Sequence, residues 1–221
     1  SKYAYGKDDH VVVKERLQQL VLFITKSFKP SRAKSFYDSG PVPEKTWAQR
    51  CGIGWQGKNT LIINRNGGSF YHIGIILTDL VVEPDQPETD HCGSCDLCVK
   101  TCPAGALNSP YQLEIAQCLS YQTIENKGDT PVDLKGKFRH RIYGCDICQD
   151  ICPYNRFARP HAEKEFLPSP ELKARRKKEW LALTEQEFNR LFGNSSVKRT
   201  GFHTLKRNME LAGETPVPAE H

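Results

Sequence analysis

Apolar residues are placed unevenly along the chain, and their spacing predicts different elements in different stretches. Val13, Leu17, Leu20, Val21 and Ile24 recur at helical intervals, which predicts an amphipathic helix over about residues 9–27. Thr60–Asn64 and Ser69–Leu77 are runs rich in β-branched and aromatic residues. They are joined by Arg65-Asn66-Gly67-Gly68, a sequence suited to a tight hairpin turn. Glu44–Arg50 reads as helical, and so does the pattern from Glu179 to Phe192. The tail Gly213–His221 is polar and is expected to be disordered.

Composition divides the chain into three stretches. Residues 1–87 are apolar and regular, and they end in the acidic, proline-containing segment Glu83-Pro84-Asp85-Gln86-Pro87. Residues 88–160 hold eight of the nine cysteines, and residues 161–221 alternate prolines with short helical patterns. An α+β architecture is expected. No apolar run approaches the roughly 20 residues that span a bilayer, and the first residues carry no apolar signal region, so a cytoplasmic protein without membrane contact is expected. Formal charge is +5 overall, whereas residues 171–207 contain ten Lys/Arg against four Glu. Such a segment suits a polyanion, although a solvated helix face is the commoner meaning of a charge run. The aromatics within it (Trp180, Phe188, Phe192, Phe202) are spaced for helix cores rather than stacking platforms. His140, His161 and His203 lack ligand spacing.

The odd cysteine count and tight clustering argue for metal binding over disulfides. Cys92-x2-Cys95-x2-Cys98-x3-Cys102-Pro103 matches the bacterial ferredoxin run for [4Fe–4S] clusters. Zinc more often pairs two separated Cys-x2-Cys knuckles and does not require the third cysteine or the Cys-Pro. The second half, Cys145-x2-Cys148-x3-Cys152-Pro153, has Ile142 where its first cysteine belongs, and the isolated Cys118 can replace it. The last cysteine of each run serves the other cluster. One set is therefore Cys92, Cys95, Cys98 and Cys152, and the other is Cys102, Cys118, Cys145 and Cys148. Two [4Fe–4S] clusters and an external electron donor follow. Cys51 lies apart from these and reads as a small buried thiol.

Gly52-Ile53-Gly54-Trp55-Gln56-Gly57-Lys58-Asn59 imitates two phosphate-binding patterns. Both require a strand before and a helix after, and here the order is helix then strand, with Asn59 in place of the Ser/Thr that would meet magnesium. A nucleotide phosphate loop is rejected. The glycines instead allow a close backbone approach, to a large flat ligand or within a sharp turn.

Together these features resemble the epoxyqueuosine reductases, cobalamin-dependent iron–sulfur enzymes that complete queuosine in tRNA. The residues carrying the resemblance are Tyr3-Ala4-Tyr5-Gly6, Asp8-Asp9-His10, Asp38-Ser39-Gly40-Pro41-Val42 and the Gly52–Asn59 segment. They continue through the cysteine runs with Cys118-Leu119-Ser120-Tyr121, Arg141-Ile142-Tyr143-Gly144-Cys145-Asp146, Cys152-Pro153-Tyr154-Asn155 and Lys206-Arg207-Asn208. Members of this family extend upstream of Tyr3. The resemblance therefore implies a partial α/β cobalamin-binding domain over 1–87, a ferredoxin-like two-cluster domain over 88–160 and a basic helical region over 161–221.

The resemblance also implies electron flow through both clusters to cobalamin, and reduction of the epoxide of a modified wobble base. It assigns Asp38 as general acid and Lys58, Asn59, Ser120, Gly144, Cys145 and Asp146 as cobalamin contacts. Its substrate is a tRNA anticodon loop, which the basic segment and Arg139-His140-Arg141 would hold, by a protein expected to be monomeric. Without the resemblance, Asp38-Ser39-Gly40-Pro41 is a turn, Lys58 a surface lysine, and Ser120 a cap or turn. A corrinoid reductase of small molecules, similar to reductive dehalogenases, is one alternative. A plain ferredoxin-type electron carrier is another; it leaves the first and third stretches unexplained.

Overall fold

The computed structural model describes residues 1–214. Helix α1 (Asp9–Phe28) starts where Asp8 accepts a hydrogen bond from the His10 N–H, and it stops at Lys29 in the left-handed conformation. Val13, Leu17, Val21 and Ile24 of its apolar stripe are half-buried, while Leu20, Leu22 and Phe23 face solvent. The helix packs on a two-stranded antiparallel sheet of β1 (Ala33–Phe36) and β4 (Ile75–Thr78). Between these come α2 (Glu44–Arg50) and a second antiparallel pair, β2 (Trp55–Gln56) with β3 (Ile62–Ile63). Helices and short strands mix as an α+β class requires. Both sheets are antiparallel, whereas α/β units are built on parallel pairs.

The hairpin expected between Thr60–Asn64 and Ser69–Leu77 does not form. The turn exists, since Asn64 and Gly68 exchange backbone hydrogen bonds and Asn64 Oδ1 accepts from Asn66. Beyond it, however, the Ser69 N–H is captured by Asn155 Oδ1 at 2.6 Å, and the two runs diverge to different sheets. A distant side chain outcompetes local pairing.

The cysteine-bearing stretch is mostly loop, with short helices α3 (Leu97–Thr101), α4 (Leu119–Ile124) and α5 (Ile147–Asp150). After it come α6 (Pro170–Ala174), α7 (Lys177–Leu181), α8 (Glu185–Phe192), α9 (Val197–Thr200) and α10 (Phe202–Glu214). The helical pattern from Glu179 to Phe192 is thus divided between α7 and α8. Thr184 caps α8 reciprocally with Glu187, and Leu183 is buried at the break, so a strong start signal interrupts the period. Gly213 and Glu214 of the expected disordered tail complete α10; the rest of that tail lies outside the described residues.

Helix α10 joins two cores. Leu205 and Met209 meet Tyr143, Leu183, Phe188, Phe192 and Val197, with Tyr3, Trp180 and Phe202 packed around them, so the third-stretch aromatics build a core as expected. Leu211 and Ala212 meet Ala104, Leu119, Leu134 and Phe138 beneath the cysteine loops. Between the cores, Asn208 is fully buried and donates to the carbonyls of Thr123 and Ile142 at 2.8 and 3.0 Å. Replacing Asn208 with Ala strands both carbonyls, and should lower unfolding free energy by about 2–4 kcal/mol in a denaturant titration.

Candidate functional site

Eight cysteines line two neighbouring sites, and their thiols sort into groups by mutual influence. Burial raises the Cys98 and Cys152 thiols first. Cys92 and Cys152 then act on Cys98, and Cys92 and Cys95 act on Cys152. Cys148 is pushed up to about 12, by burial first and then by Cys145, Cys118, Cys102 and, last, Cys98. Burial also raises Cys145, with Cys118 among its neighbours. Two groups of four emerge, Cys92/Cys95/Cys98/Cys152 and Cys102/Cys118/Cys145/Cys148, with Cys98 close enough to link them.

Among the described residues no three sulfurs lie within 4.8 Å of one another. That spread is too wide for a single tetrahedral ion with bonds of about 2.3 Å, and it leaves room for a cubane. The first group surrounds a cavity of about 260 Å³ that Tyr154 and His91 also line. The donor sets therefore fit two [4Fe–4S] clusters. Burial raises the pKa values of Cys92, Cys98, Cys145, Cys148 and Cys152, so holding them as thiolates needs a compensating positive charge, which an iron–sulfur cluster supplies.

The segment that imitates a phosphate loop has a different role here. Helix α2 precedes it and strand β2 lies within it, the reverse of a phosphate loop. A Cβ on Gly54 would sit 2.2 Å from the Ile63 carbonyl oxygen, so this glycine permits close backbone approach within the turn. Trp55, fully buried, points its indole N–H at Cys92 Sγ, 3.5 Å away, between the rings of His91 and Tyr154. Lys58 Nζ donates to the carbonyls of Gly93 and Cys95 at 2.6 and 2.9 Å. Asn59 is 4% exposed and donates to the Cys148 carbonyl at 3.2 Å. One short segment thus braces the loops of both thiol groups.

The other residues assigned by resemblance fall in two places. Ser120, Gly144, Cys145 and Asp146 gather beside the second thiol group. Ser120 lies inside α4 rather than at its cap, and Gly144, at φ +66°, donates its N–H to Thr123 of the same helix. Asp146 accepts from the Ser1 hydroxyl and the Lys2 N–H. Asp38 is remote in sequence from all of these. It occupies a left-handed turn at φ +45° with its side chain 71% exposed, and its Oδ2 is 3.3 Å from His10 Nε2.

Around Asp38 lies a polar network that sequence reasoning left without roles. His10 Nδ1 is 3.4 and 3.5 Å from Asp8 and Asp9, and the Tyr37 hydroxyl bridges Asp9 Oδ2 at 2.6 Å and His72 Nδ1 at 2.7 Å. Burial lowers the His72 pKa and raises that of Tyr37, so both favour their neutral forms. Burial works to raise the Asp8 carboxyl, but the Arg199 guanidinium, 2.5 and 2.6 Å from its two oxygens, outweighs this and keeps it below the usual range. Tyr3 and Tyr143, with hydroxyls 3.1 Å apart and both pKa values raised by burial, lie within the influence of Asp9 and lead to Gly144 and Cys145. The adjacent Asp8-Asp9-His10 was the available signal; Tyr37 and His72 carried none. Cys51 corrects an expectation: it is exposed at the end of α2, where the chain turns outward into Gly52 at φ +67°.

Residues 91–155 fit the family described as a 4Fe-4S double cluster binding domain. Epoxyqueuosine reductase of Cellulophaga algicola is 44% identical over 211 residues, covering 96% of this chain and 69% of the relative. The chain belongs to the epoxyqueuosine reductase family. Its Escherichia coli member is 38% identical over 98% of this chain and 57% of its own length. Among solved epoxyqueuosine reductases, one crystallised with an epoxyqueuosine-modified tRNA-Tyr stem loop superposes with a TM-score of 0.87, at 37% identity. A Bacillus subtilis epoxyqueuosine reductase, whose aspartate-bearing catalytic loop is swung out of the active site, gives 0.86 at 35%. In both, the match covers 96% of this chain and 56% of the other, so the chain spans a little over half the length of these solved relatives. Among the described residues no helix is long and apolar enough to cross a membrane.

Two substitutions test the thiol sites. Cys118→Ser should reduce bound iron from about eight to about four atoms per chain in a colorimetric assay. Trp55→Phe removes the N–H that stabilises added electron density on Cys92. It should lower one cluster's reduction potential by tens of millivolts in film voltammetry, with iron content unchanged.

Proposed function

We propose that this chain, as part of an epoxyqueuosine reductase, reduces epoxyqueuosine to queuosine at the wobble position of tRNA. The observation that carries this reading is its superposition, over 96% of its length, on an epoxyqueuosine reductase crystallised with an epoxyqueuosine-modified stem loop. Converting the epoxide to an alkene consumes two electrons and two protons and releases water. When bound, the [4Fe–4S] clusters supply single electrons, and cobalamin supplies the reduced metal centre that acts on the epoxide.

The residues present suit these groups. In this reading Cys92, Cys95, Cys98 and Cys152 hold one cluster, and Cys102, Cys118, Cys145 and Cys148 hold the other. For cobalamin, the buried left-handed Gly144 lets the chain approach closely, here against Ser1, whose Cβ would lie 2.4 Å from a Cβ at this position, and the nearby Ser120 is half-buried with no side-chain hydrogen bond among the described residues. Ser120, Gly144, Cys145 and Asp146 would flank the cofactor, Asp146 with both carboxylate oxygens already engaged by Ser1 and Lys2. Lys58 and Asn59 would act from behind the cysteine loops, because their polar atoms are committed to carbonyls there.

Asp38 is the general acid in this reading. The oxygen released from the epoxide departs as an alkoxide and needs a proton, which an exposed carboxyl on a turn can deliver. A solved relative carries its catalytic aspartate on a loop, which is in keeping with an acid placed on a turn. His10, within reach of Asp38 and backed by Asp8 and Asp9, orients that carboxyl and can return its proton. Full-length protein, reconstituted anaerobically with clusters, cobalamin and a reductant, should convert epoxyqueuosine in tRNA to queuosine on nucleoside analysis. Asp38→Asn should keep both clusters and lose turnover by about 10²–10⁴-fold. Unchanged turnover would remove Asp38 from the role, and absence of queuosine with intact clusters would remove the reading.

A further inference from the structure

Not all of the basic third stretch is available to a ligand. The Arg199 guanidinium is paired with Asp8, that of Arg190 with Glu171 and that of Arg175 with Glu187. Arg207 donates to the carbonyls of Gln122, Asn126 and Gly128. These arginines hold the fold together. The free cations lie elsewhere, and some of them converge.

A groove of about 740 Å³ runs between the loop Arg139–Tyr143 and helix α6. Its walls carry Arg139, His140 and Arg141 from one segment and Lys173 from another, and no aspartate or glutamate lines it. None of Arg139, Arg141 or Lys173 takes part in an ion pair among the described residues. Arg139 and His140 are consecutive left-handed residues at φ +46° and +64°, and both are exposed. Tyr5, 54% exposed, stands on the rim, and Trp180 and Phe192 lie deeper. The loop continues directly into Tyr143, Gly144 and Cys145, so anything bound here is within a few residues of the second thiol group.

We propose that this groove holds the sugar–phosphate backbone of the RNA stem-loop whose modified base enters the adjoining site; this rests on the tRNA reading above. Cations drawn from separate segments, in a groove with no acidic residue in its lining, match a line of phosphates better than one compact anion, and an exposed tyrosine offers a stacking face. Arg139 and Lys173 have no structural partners to lose, so their replacement isolates binding from folding.

The test is fluorescence anisotropy with a labelled tRNA-Tyr anticodon stem-loop and full-length, cluster-loaded protein over about 50–200 mM salt. The double variant Arg139→Gln/Lys173→Gln should bind about tenfold or more weakly, with a salt slope reduced by about 1–2 and cluster absorbance unchanged. A control pair on exposed lysines outside the groove, Lys177→Gln/Lys178→Gln, should change binding much less. Equal weakening by the control pair would overturn the groove as the specific site. So would wild-type affinity in the double variant, and so would loss of cobalamin binding without loss of RNA binding, which would mark a small-anion site. If the wild type makes queuosine while the double variant binds RNA normally, only the groove falls; if the wild type neither binds the stem-loop nor makes queuosine, the functional reading falls with it.

Discussion

The structure is organised around the difficulty of crowding thiols. Eight cysteine side chains converge on two adjoining sites, and burial, followed by neighbouring charge, makes ionisation of Cys92, Cys98, Cys145, Cys148 and Cys152 unfavourable, with Cys148 pushed up to about 12. Positive charge from bound iron would relieve this, which couples the stability of these loops to the loading of metal. The protein supplies what the metal cannot, namely fixed loop positions. Lys58 and Asn59 tie the cysteine loops by their carbonyls, Trp55 donates to a sulfur, and the apolar core under Ala104, Leu119 and Phe138 supports them from below.

The C-terminal helices show how electrostatics can serve architecture before recognition. Arg199 reaches from α9 to the cap of α1, and Arg207 gathers one carbonyl from within α4 and two from the turn after it. Bonds of this kind, partly shielded and bound to several acceptors, are worth more than isolated surface pairs. They fasten the third stretch to the first and second. Tyr3 and Ala4 join the same core as Phe188 and Met209, so the beginning and end of the described chain share one apolar cluster.

What the sequence made legible was governed by locality. The helix from Asp9 was readable because its period and cap lie within a few residues, and the cysteine runs were readable because ligand spacing is itself local. The hairpin at Asn64–Gly68 misled because its second strand answers to Asn155, far along the chain. Glu179–Phe192 looked continuous because periodicity does not register a capping box at Thr184. The network of Asp8, Asp9, His10, Tyr37, Asp38 and His72 is drawn from a helix start and two separated turns, and no pattern joins them before folding. The basic run likewise conceals which arginines are already paired.

Asn59 carries a consequence for how such a protein can be taken apart. Its amide spans from the segment after β2 to the carbonyl of Cys148, while Lys58 beside it secures Gly93 and Cys95. The spacing between the two thiol groups is therefore specified partly by residues that precede every ligand in the sequence. The cysteine-bearing stretch resembles a self-sufficient redox cassette, yet cutting it out would remove the donors that hold its loops in register. Transplantation into another scaffold would have to carry the bracket along with the cysteines.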